Sequence, residues 1–427
     1  MTAGVWVLIG LFGAATLIDV PIALGLGLAA VGYLLIFDAA PVIVTAQRML
    51  GGLDSFPLLA IPLFLLAGNL MTGAGLTRRI VDLCVALVGS VRGGLAMAAV
   101  LGCALFSALS GSSIADVVAI GGVMLPAMRA RGYDRRFSAA LLGCAGTLGQ
   151  VIPPSITMVV YGTLTNTSIG RLFLAGFAPG ALLTGLLMLT AFLCARRHGW
   201  GGGEPFSGRA ALAAFRRSLL ALVVPVLIVG GIRAGYATPT EAAGLAVAYA
   251  LVIGLAVERS LTPRSIARAL VEAAEASSAI LLVISTASLF GWILAAERMP
   301  QAITGAITAW TTDRNLVLLL LTALLLVLGT FMEALAIIII LAPVLMPLLS
   351  IYRIDPVHFG ILLIVNVSIG GATPPLGVNL MTACRIEGIS QAEAYRWLAP
   401  LLAALILGLL LLTFTPGLVL ALPRWLG

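Results

Sequence analysis

The chain has 427 residues, of which 61% are apolar and only 10% charged, with a formal net charge of +7. Soluble domains carry about a quarter charged residues and under half apolar ones, so a soluble enzyme, a nucleic-acid-binding domain and a disordered chain are all excluded. What remains is an all-α polytopic membrane protein, with a ceiling near ~13 crossings at ~20 apolar residues each.

In chain order, the first apolar run has no basic residue ahead of it; its first charge is Asp19. A cleaved signal peptide needs a basic n-region, so this run predicts a retained membrane helix. All 24 basic residues are Arg. Without Lys the chain has no P-loop and no Schiff-base chemistry, which excludes a nucleotide-driven motor. Arg78 and Arg79 precede an apolar stretch to Val91, and Arg298 precedes Pro300 to Trp310. Both predict helices lying along the membrane surface as arms. Residues 95–128 are apolar but broken by Ser107, Ser110, Gly111, Ser112 and Ser113. Each limb is too short to cross at 1.5 Å per residue, so the stretch predicts a hairpin that enters and leaves on one side. Residues 316–349 predict a second hairpin, with its tip at Leu328-Gly329-Thr330. Residues 137–170 and 356–384 are long apolar runs, each cut by a Pro-Pro pair, where a helix must break. Trp292, Trp310 and Trp397 are expected as interfacial anchors. The five Cys have no metal-ligand spacing and are read as small hydrophobes.

The chain also repeats. Asp19-Val20-Pro21 returns as Ala237-Thr238-Pro239, Ser110 to Ser113 with Asp116 and Pro126 as Gly329-Thr330 with Glu333 and Pro343, and Gly149 to Pro154 as Gly370 to Pro375. Three ordered matches at nearly one offset predict two homologous halves: a first repeat over 1–195, a linker over 196–217 and a second repeat over 218–427. The loop after the first hairpin carries Arg129, Arg131, Arg135 and Arg136 against Asp134, whereas its counterpart has only Arg353 with Asp355 and His358. The Gly-rich linker adds five Arg against Glu204. The positive-inside rule puts the first loop and the linker in the cytoplasm and the second loop outside, so the halves are expected to be inverted, a common build for secondary transporters.

Broken helices leave backbone groups unpaired at membrane depth. Their N-terminal amides suit carboxylates, and their carbonyls and neighbouring hydroxyls suit Na⁺. The repeat pairs each hairpin tip with a Pro-Pro break, which predicts two pseudo-symmetric sites. A substrate anion would fit between the tips, held by Ser112, Ser113, Thr330 and the break residues Pro154, Ser155 and Pro374. Asp116 and Glu333, just past the tips, are intramembrane carboxylates and so functional candidates. Asn366 and Asn379 flank the second break and can supply amide oxygens.

At these residues the sequence resembles the large membrane (M) subunit of tripartite ATP-independent periplasmic (TRAP) transporters, nearly end to end. The matching stretches are Ser55-Phe56-Pro57-Leu58-Leu59-Ala60-Ile61-Pro62-Leu63-Phe64, Leu109-Ser110-Gly111-Ser112-Ser113 with Ala115-Asp116, and Gly146-Thr147-Leu148-Gly149 leading to Ile152-Pro153-Pro154-Ser155. Ser168-Ile169-Gly170-Arg171-Leu172-Phe173, Thr238-Pro239-Thr240-Glu241-Ala242 and Gly371-Ala372-Thr373-Pro374-Pro375-Leu376-Gly377 follow in the family's order.

The resemblance implies an elevator-type secondary transporter in the bacterial inner membrane. It implies a Na⁺ gradient as the energy source, no other cofactor, and an organic anion, often a carboxylate, as substrate. It implies a small four-helix membrane subunit, expected as a separate chain, and a soluble periplasmic binding protein as partners. It places one Na⁺ at Ser110, Ser113 and Gly149 and another at Gly329, Thr330 and Thr373. Gln150 departs from the family, which more often has an apolar residue there. The competing class is a self-sufficient ion-coupled anion symporter of similar architecture. An intramembrane enzyme is disfavoured, because no nucleophile–base set or metal cluster is present in the sequence.

Overall fold

The computed structural model describes residues 3–41, 43–201 and 206–426. Glu204 of the expected linker lies outside them. Among the described residues the regular elements are all helical, as a bilayer solvent demands of a spanning chain that is not a barrel.

The first half runs α1 (Ala3–Leu17), α2 (Ile22–Phe37), α3 (Ile43–Gly51), α4 (Ala60–Gly73), α5 (Leu76–Val88), α6 (Gly94–Ser110), α7 (Ser113–Ala130), α8 (Arg135–Ala145), α9 (Leu148–Val151), α10 (Ile156–Thr165) and α11 (Ile169–His198). The second runs α12 (Gly208–Arg233), α13 (Pro239–Val252), α14 (Pro263–Ala296), α15 (Met299–Trp310), α16 (Arg314–Phe331), α17 (Ala334–Ile351), α18 (Pro356–Gly370), α19 (Val378–Glu387), α20 (Gln391–Phe414) and α21 (Pro416–Leu426). Nine helices among the described residues are long and apolar enough to cross a membrane, or up to ten if the bent α8–α10 pair counts as one span. This is below the compositional ceiling, because much apolar length lies in shorter helices.

Around the hairpins and breaks the order of elements recurs. The helices starting at Gly94, Ser113, Arg135 and Ile156 correspond to those starting at Arg314, Ala334, Pro356 and Val378. This pairing corrects the register expected for one pair of residues. Glu333 is the N-cap of α17, the place Ser112 holds on α7, while Asp116 lies inside the first turn of α7. The two carboxylates are therefore not equivalents, and Pro347 rather than Pro343 sits where Pro126 does. The second tip also differs from expectation: α16 continues through Leu328-Gly329-Thr330 to Phe331, and the chain turns at Met332-Glu333. Leu and other strong helix formers carry the helix past the single glycine. The first broken segment ends at Thr165, with Asn166 capping it in the left-handed region, rather than running to 170.

The helices sort into two groups by packing. Helices α1 to α4 pack among themselves and with α13 and α14, while α6 to α11 pack with α16 to α21; α12 packs on α13 and α5, and α14 also packs across on α17. The short helices α5 and α15 lie between these groups in sequence, as the expected arms do. Arg79 on α5 is tied to two neighbouring segments, by its ion pair with Glu258 beyond α13 and a 3.1 Å bond to the carbonyl of Arg217 within α12. Helix α14 has 34 residues, about 50 Å at 1.5 Å per residue, which exceeds the hydrocarbon thickness.

Charge pairs tie the two halves together at opposite ends. Glu387, fully buried at the end of α19, receives Arg129 from the last turn of α7 at 2.6 Å and Arg135 from the start of α8 at 3.1 Å. Close by, Arg136 faces Glu393 at 3.7 Å. At the corresponding loop of the other half the signs are exchanged: Asp355 faces Arg171 at 3.9 Å. Trp397 is not an exposed anchor. It is buried against Phe137, His198 and Trp200. Trp310 is exposed, and Trp292 lies beneath the guanidinium of Arg48.

Candidate functional site

The two hairpin tips and the two Pro-Pro breaks meet. The amide of Ile156, just after the first break, donates to the carbonyl of Gly111 at the first tip, 3.4 Å away. In the other half the amide of Leu376, just after the second break, donates to the carbonyl of Thr330 at 3.1 Å. Both Pro-Pro bonds, Pro153–Pro154 and Pro374–Pro375, are cis. A helix that restarts after a break has amides with no intrahelical acceptor, and a hairpin limb that ends at a tip has carbonyls with no intrahelical donor; these cross-element bonds satisfy one of each in either half.

Glycine makes the contact close. A Cβ on Gly149 would fall 2.5 Å from Asp116 Oδ2 and 2.8 Å from the Cα and N of Ser113. A Cβ on Gly370 would fall 2.4 Å from the carbonyl of Gly329. Any side chain at either position would push tip and break apart. Gly149 and Gly329 were singled out as Na⁺ ligand positions, and Gly370 as a repeat match; the structure adds this close approach.

The polar side chains have defined partners. Asp116 is fully buried and receives the hydroxyls of Ser107 and Ser110. Ser110 is thereby committed to Asp116. Ser112, the N-cap of α7, turns its amide to Ser110 Oγ at 3.3 Å. Ser113 Oγ receives Gln150 Nε2 at 3.3 Å. Ser155 is fully buried and donates to the carbonyl of Gln150 at 2.6 Å, with Thr157 Oγ1 2.8 Å away. Ser155 thus fills the gap in the broken helix. In the second half Thr330 and Thr373 donate back to the carbonyls of Val327 and Ile369, each at 2.8 Å. Asn366 is fully buried; its amide donates to the Leu362 carbonyl at 2.7 Å and its Oδ1 has no protein partner. The amide N–H of Asn379 donates to the Gly371 carbonyl at 2.9 Å.

Two cavities adjoin at this junction. One, of about 280 Å³, is lined by Ser112, Ser113, Gln150, Thr157 and Glu333 on one side and by Leu65, Ala276, Ala279, Ile280 and Val283 on the other. The second, of about 380 Å³, shares Ser113, Ile114, Gln150 and Glu333 and adds Ile22, Gly329, Gly371, Gly377 and Asn379. The polar wall comes from the tips and breaks. The apolar wall comes from α2, α4 and α14, the other packing group. Ala279 stands midway along α14, so the first cavity lies against the middle of that helix. Pro154, Ser155, Thr330, Thr373 and Pro374 lie in the breaks and tips but do not line either cavity. Gln150, Thr157 and Glu333 line it, and of these Thr157 carried no sequence signal beyond its place one turn past a Pro-Pro pair.

The charge balance is unusual for a cavity meant to hold an anion. Glu333 is the single charged side chain among the lining residues of the two cavities. No arginine reaches them. Among the described residues no group of three or more His, Cys, Asp or Glu could hold a metal ion.

A many-helix apolar protein with broken helices meeting at a central cavity is a transport protein by class. Comparison with known proteins gives the family. Residues 9–418 match the model of the tripartite ATP-independent periplasmic transporter, DctM component. The C4-dicarboxylate TRAP transporter large permease of Rhodobacter capsulatus is 39% identical over 99% of both chains. The sialic acid TRAP transporter large permease of Vibrio cholerae is 37% identical over 95% of both. The isethionate TRAP transporter permease DctMQ of Oleidesulfovibrio alaskensis is 43% identical over 96% of this chain, which spans 65% of that relative's length. The chain belongs to the TRAP transporter large-permease family and is a transport permease, not an enzyme. In fold it is similar to the Alcanivorax borkumensis YdaH transporter, at a TM-score of 0.57 and 18% identity, covering 96% of this chain and 98% of that one.

Proposed function

We propose that this chain is the transport subunit of a Na⁺-coupled, binding-protein-dependent importer of an organic anion of the carboxylate class. On this reading it sits in the bacterial inner membrane beside a small four-helix subunit, and a periplasmic binding protein delivers its substrate. Relatives named for C4-dicarboxylates, sialic acid and 2,3-diketo-L-gulonate support the anion class.

The observation that carries the Na⁺ part is the charge of the cavity. An anion between the tips meets hydroxyls, amides and the carboxylate of Glu333, but no cationic side chain. Transferring an unpaired carboxylate from water costs far more than hydrogen bonds alone return. Cations bound at the tip–break contacts supply the missing charge and make anion entry conditional on the ion. Hard cations take oxygen ligands, and the contacts offer them. Ser110, Ser113 and the backbone at Gly149 form one group, and the backbone at Gly329 with Thr330 and Thr373 the other. The backbone carbonyl of Asn366 lies beside Gly329 of the second group. The two packing groups then act as fixed frame and moving carrier, in the elevator manner, with the halves inverted across the membrane.

The test is uptake by vesicles holding the full complex, with and without a Na⁺ gradient. Ser113→Ala and Thr330→Ala are each expected to raise the Na⁺ concentration for half-maximal uptake about 10-fold, since a lost ligand to a charged group costs about 1.5 kcal/mol. Unchanged Na⁺ dependence in both overturns the site assignment. Uptake at full rate without any binding protein overturns the partner assignment and favours a self-sufficient symporter.

A further inference from the structure

The side chain of Gln150 makes a hydrogen-bonded link between the two tip–break assemblies at the cavity. Its Nε2 donates to Ser113 Oγ of the first tip at 3.3 Å. Its Oε1 lies 2.7 Å from the hydroxyl of Ser368 on α18, the helix that ends at the second break. Ser368 in turn stands 2.6 Å from the carbonyl of Ile364. Gln150 also lines both cavities. One carboxamide therefore spans from a proposed ligand of the first Na⁺ site to the helix whose end builds the second.

We propose that Gln150 is a positioning residue that couples the two cation sites, so that filling one favours filling the other. The inference rests on the Na⁺-coupled reading above. The physical basis is shared ordering. A cation at Ser113 fixes that hydroxyl, and through Nε2 fixes the carboxamide. Oε1 then holds Ser368 and the end of α18 in the arrangement the second cation needs. The second ion meets a site already ordered and loses less conformational entropy on binding. An apolar side chain at this position cannot transmit this ordering, because it neither donates to Ser113 nor accepts from Ser368.

The experiment is a Na⁺ titration of the full chain purified in detergent, with choline chloride holding ionic strength constant, read as the melting temperature by tryptophan fluorescence. The variants are Gln150→Met, which keeps the unbranched length without the amide, and Ser368→Ala, which cuts the far end of the link and leaves Ser113 untouched. The wild type is expected to titrate with a Hill coefficient of roughly 1.5 or more. Both variants should fall to about 1, with a Na⁺ midpoint raised about 5-fold and little change of melting temperature in choline alone. The double variant should behave as either single one, since each breaks the same link. Variants that keep the wild-type Hill coefficient and midpoint overturn the coupling role and leave the Na⁺ reading standing, as does a wild type that responds with a Hill coefficient of about 1. A wild type with no Na⁺ response overturns both. If Gln150→Met does not fold, Ser368→Ala alone decides.

Discussion

At the residue scale, the site depends on atoms that are missing as much as on those present. Gly149 and Gly370 carry no side chain, and a Cβ on either would fall within 2.5 Å of a neighbour across the contact, at Asp116 Oδ2 and at the Gly329 carbonyl. Overpacking of this kind typically costs about 1–3 kcal/mol. Gly149→Ala is therefore expected to lower the melting temperature in detergent by several degrees and to reduce uptake at low Na⁺ more than at saturating Na⁺. A variant as stable and active as the parent would show that tip and break need no such closeness. The hydroxyls were visible in the sequence as a Ser-rich tip, but their partners were not. Ser110 bonds a carboxylate six residues away, while Ser113 bonds an amide 37 residues away. Local spacing reveals the first kind of bond and says nothing of the second.

At the scale of elements, the telling feature is the charge clamp between α19 and the adjoining ends of α7 and α8. Glu387 is fully buried, while the side chains of Arg129 and Arg135 are close to half exposed. The two ends of the clamp are thus unequal. When Glu387→Gln removes the acid, the arginines hydrate, and the loss should be small, about 1 kcal/mol. When Arg129→Ala and Arg135→Ala are combined, a buried carboxylate is left without a cation, and the loss should reach about 3 kcal/mol or more. Thermal melting of the two variants should show that order; equal losses would mean that Glu387 is hydrated in the native protein.

The helix boundaries show the same division between local and distant causes. The Pro-Pro breaks and the serine-rich first tip were legible, because proline lacks an amide and serine competes for the backbone wherever they occur. The second tip was misplaced because one glycine among leucines does not end a helix. The chain turns instead at Met332-Glu333. The mispairing of Asp116 with Glu333 came from the same slip of a few residues.

At the scale of the whole molecule, the sign of charge at each end is expected to set the orientation. Arg171 and Glu393 stand third in α11 and α20 with opposite signs, and each pairs with a charge at the loop that begins α18 or α8, Asp355 or Arg136. The loop that holds the cation is the arginine-rich one, the side expected in the cytoplasm. Reporter fusions at Arg131 and Asp355 should accordingly report opposite sides of the membrane. The same side for both would end the inverted arrangement.

The sequence by itself determined the solvent, the class and the breaks. An apolar majority with few charges, a doubled order of motifs and paired prolines are properties of the chain alone, and each acts through composition or through the backbone at its own position. Only the tertiary structure decided which hydroxyls face the cavity and which fill a helix gap, that Gln150 reaches both halves, and that the cavity holds one carboxylate and no arginine. Those outcomes depend on segments some 200 residues apart coming within hydrogen-bond distance. No local pattern records that approach, because the energy that brings the segments together is spread over the packing of the whole bundle.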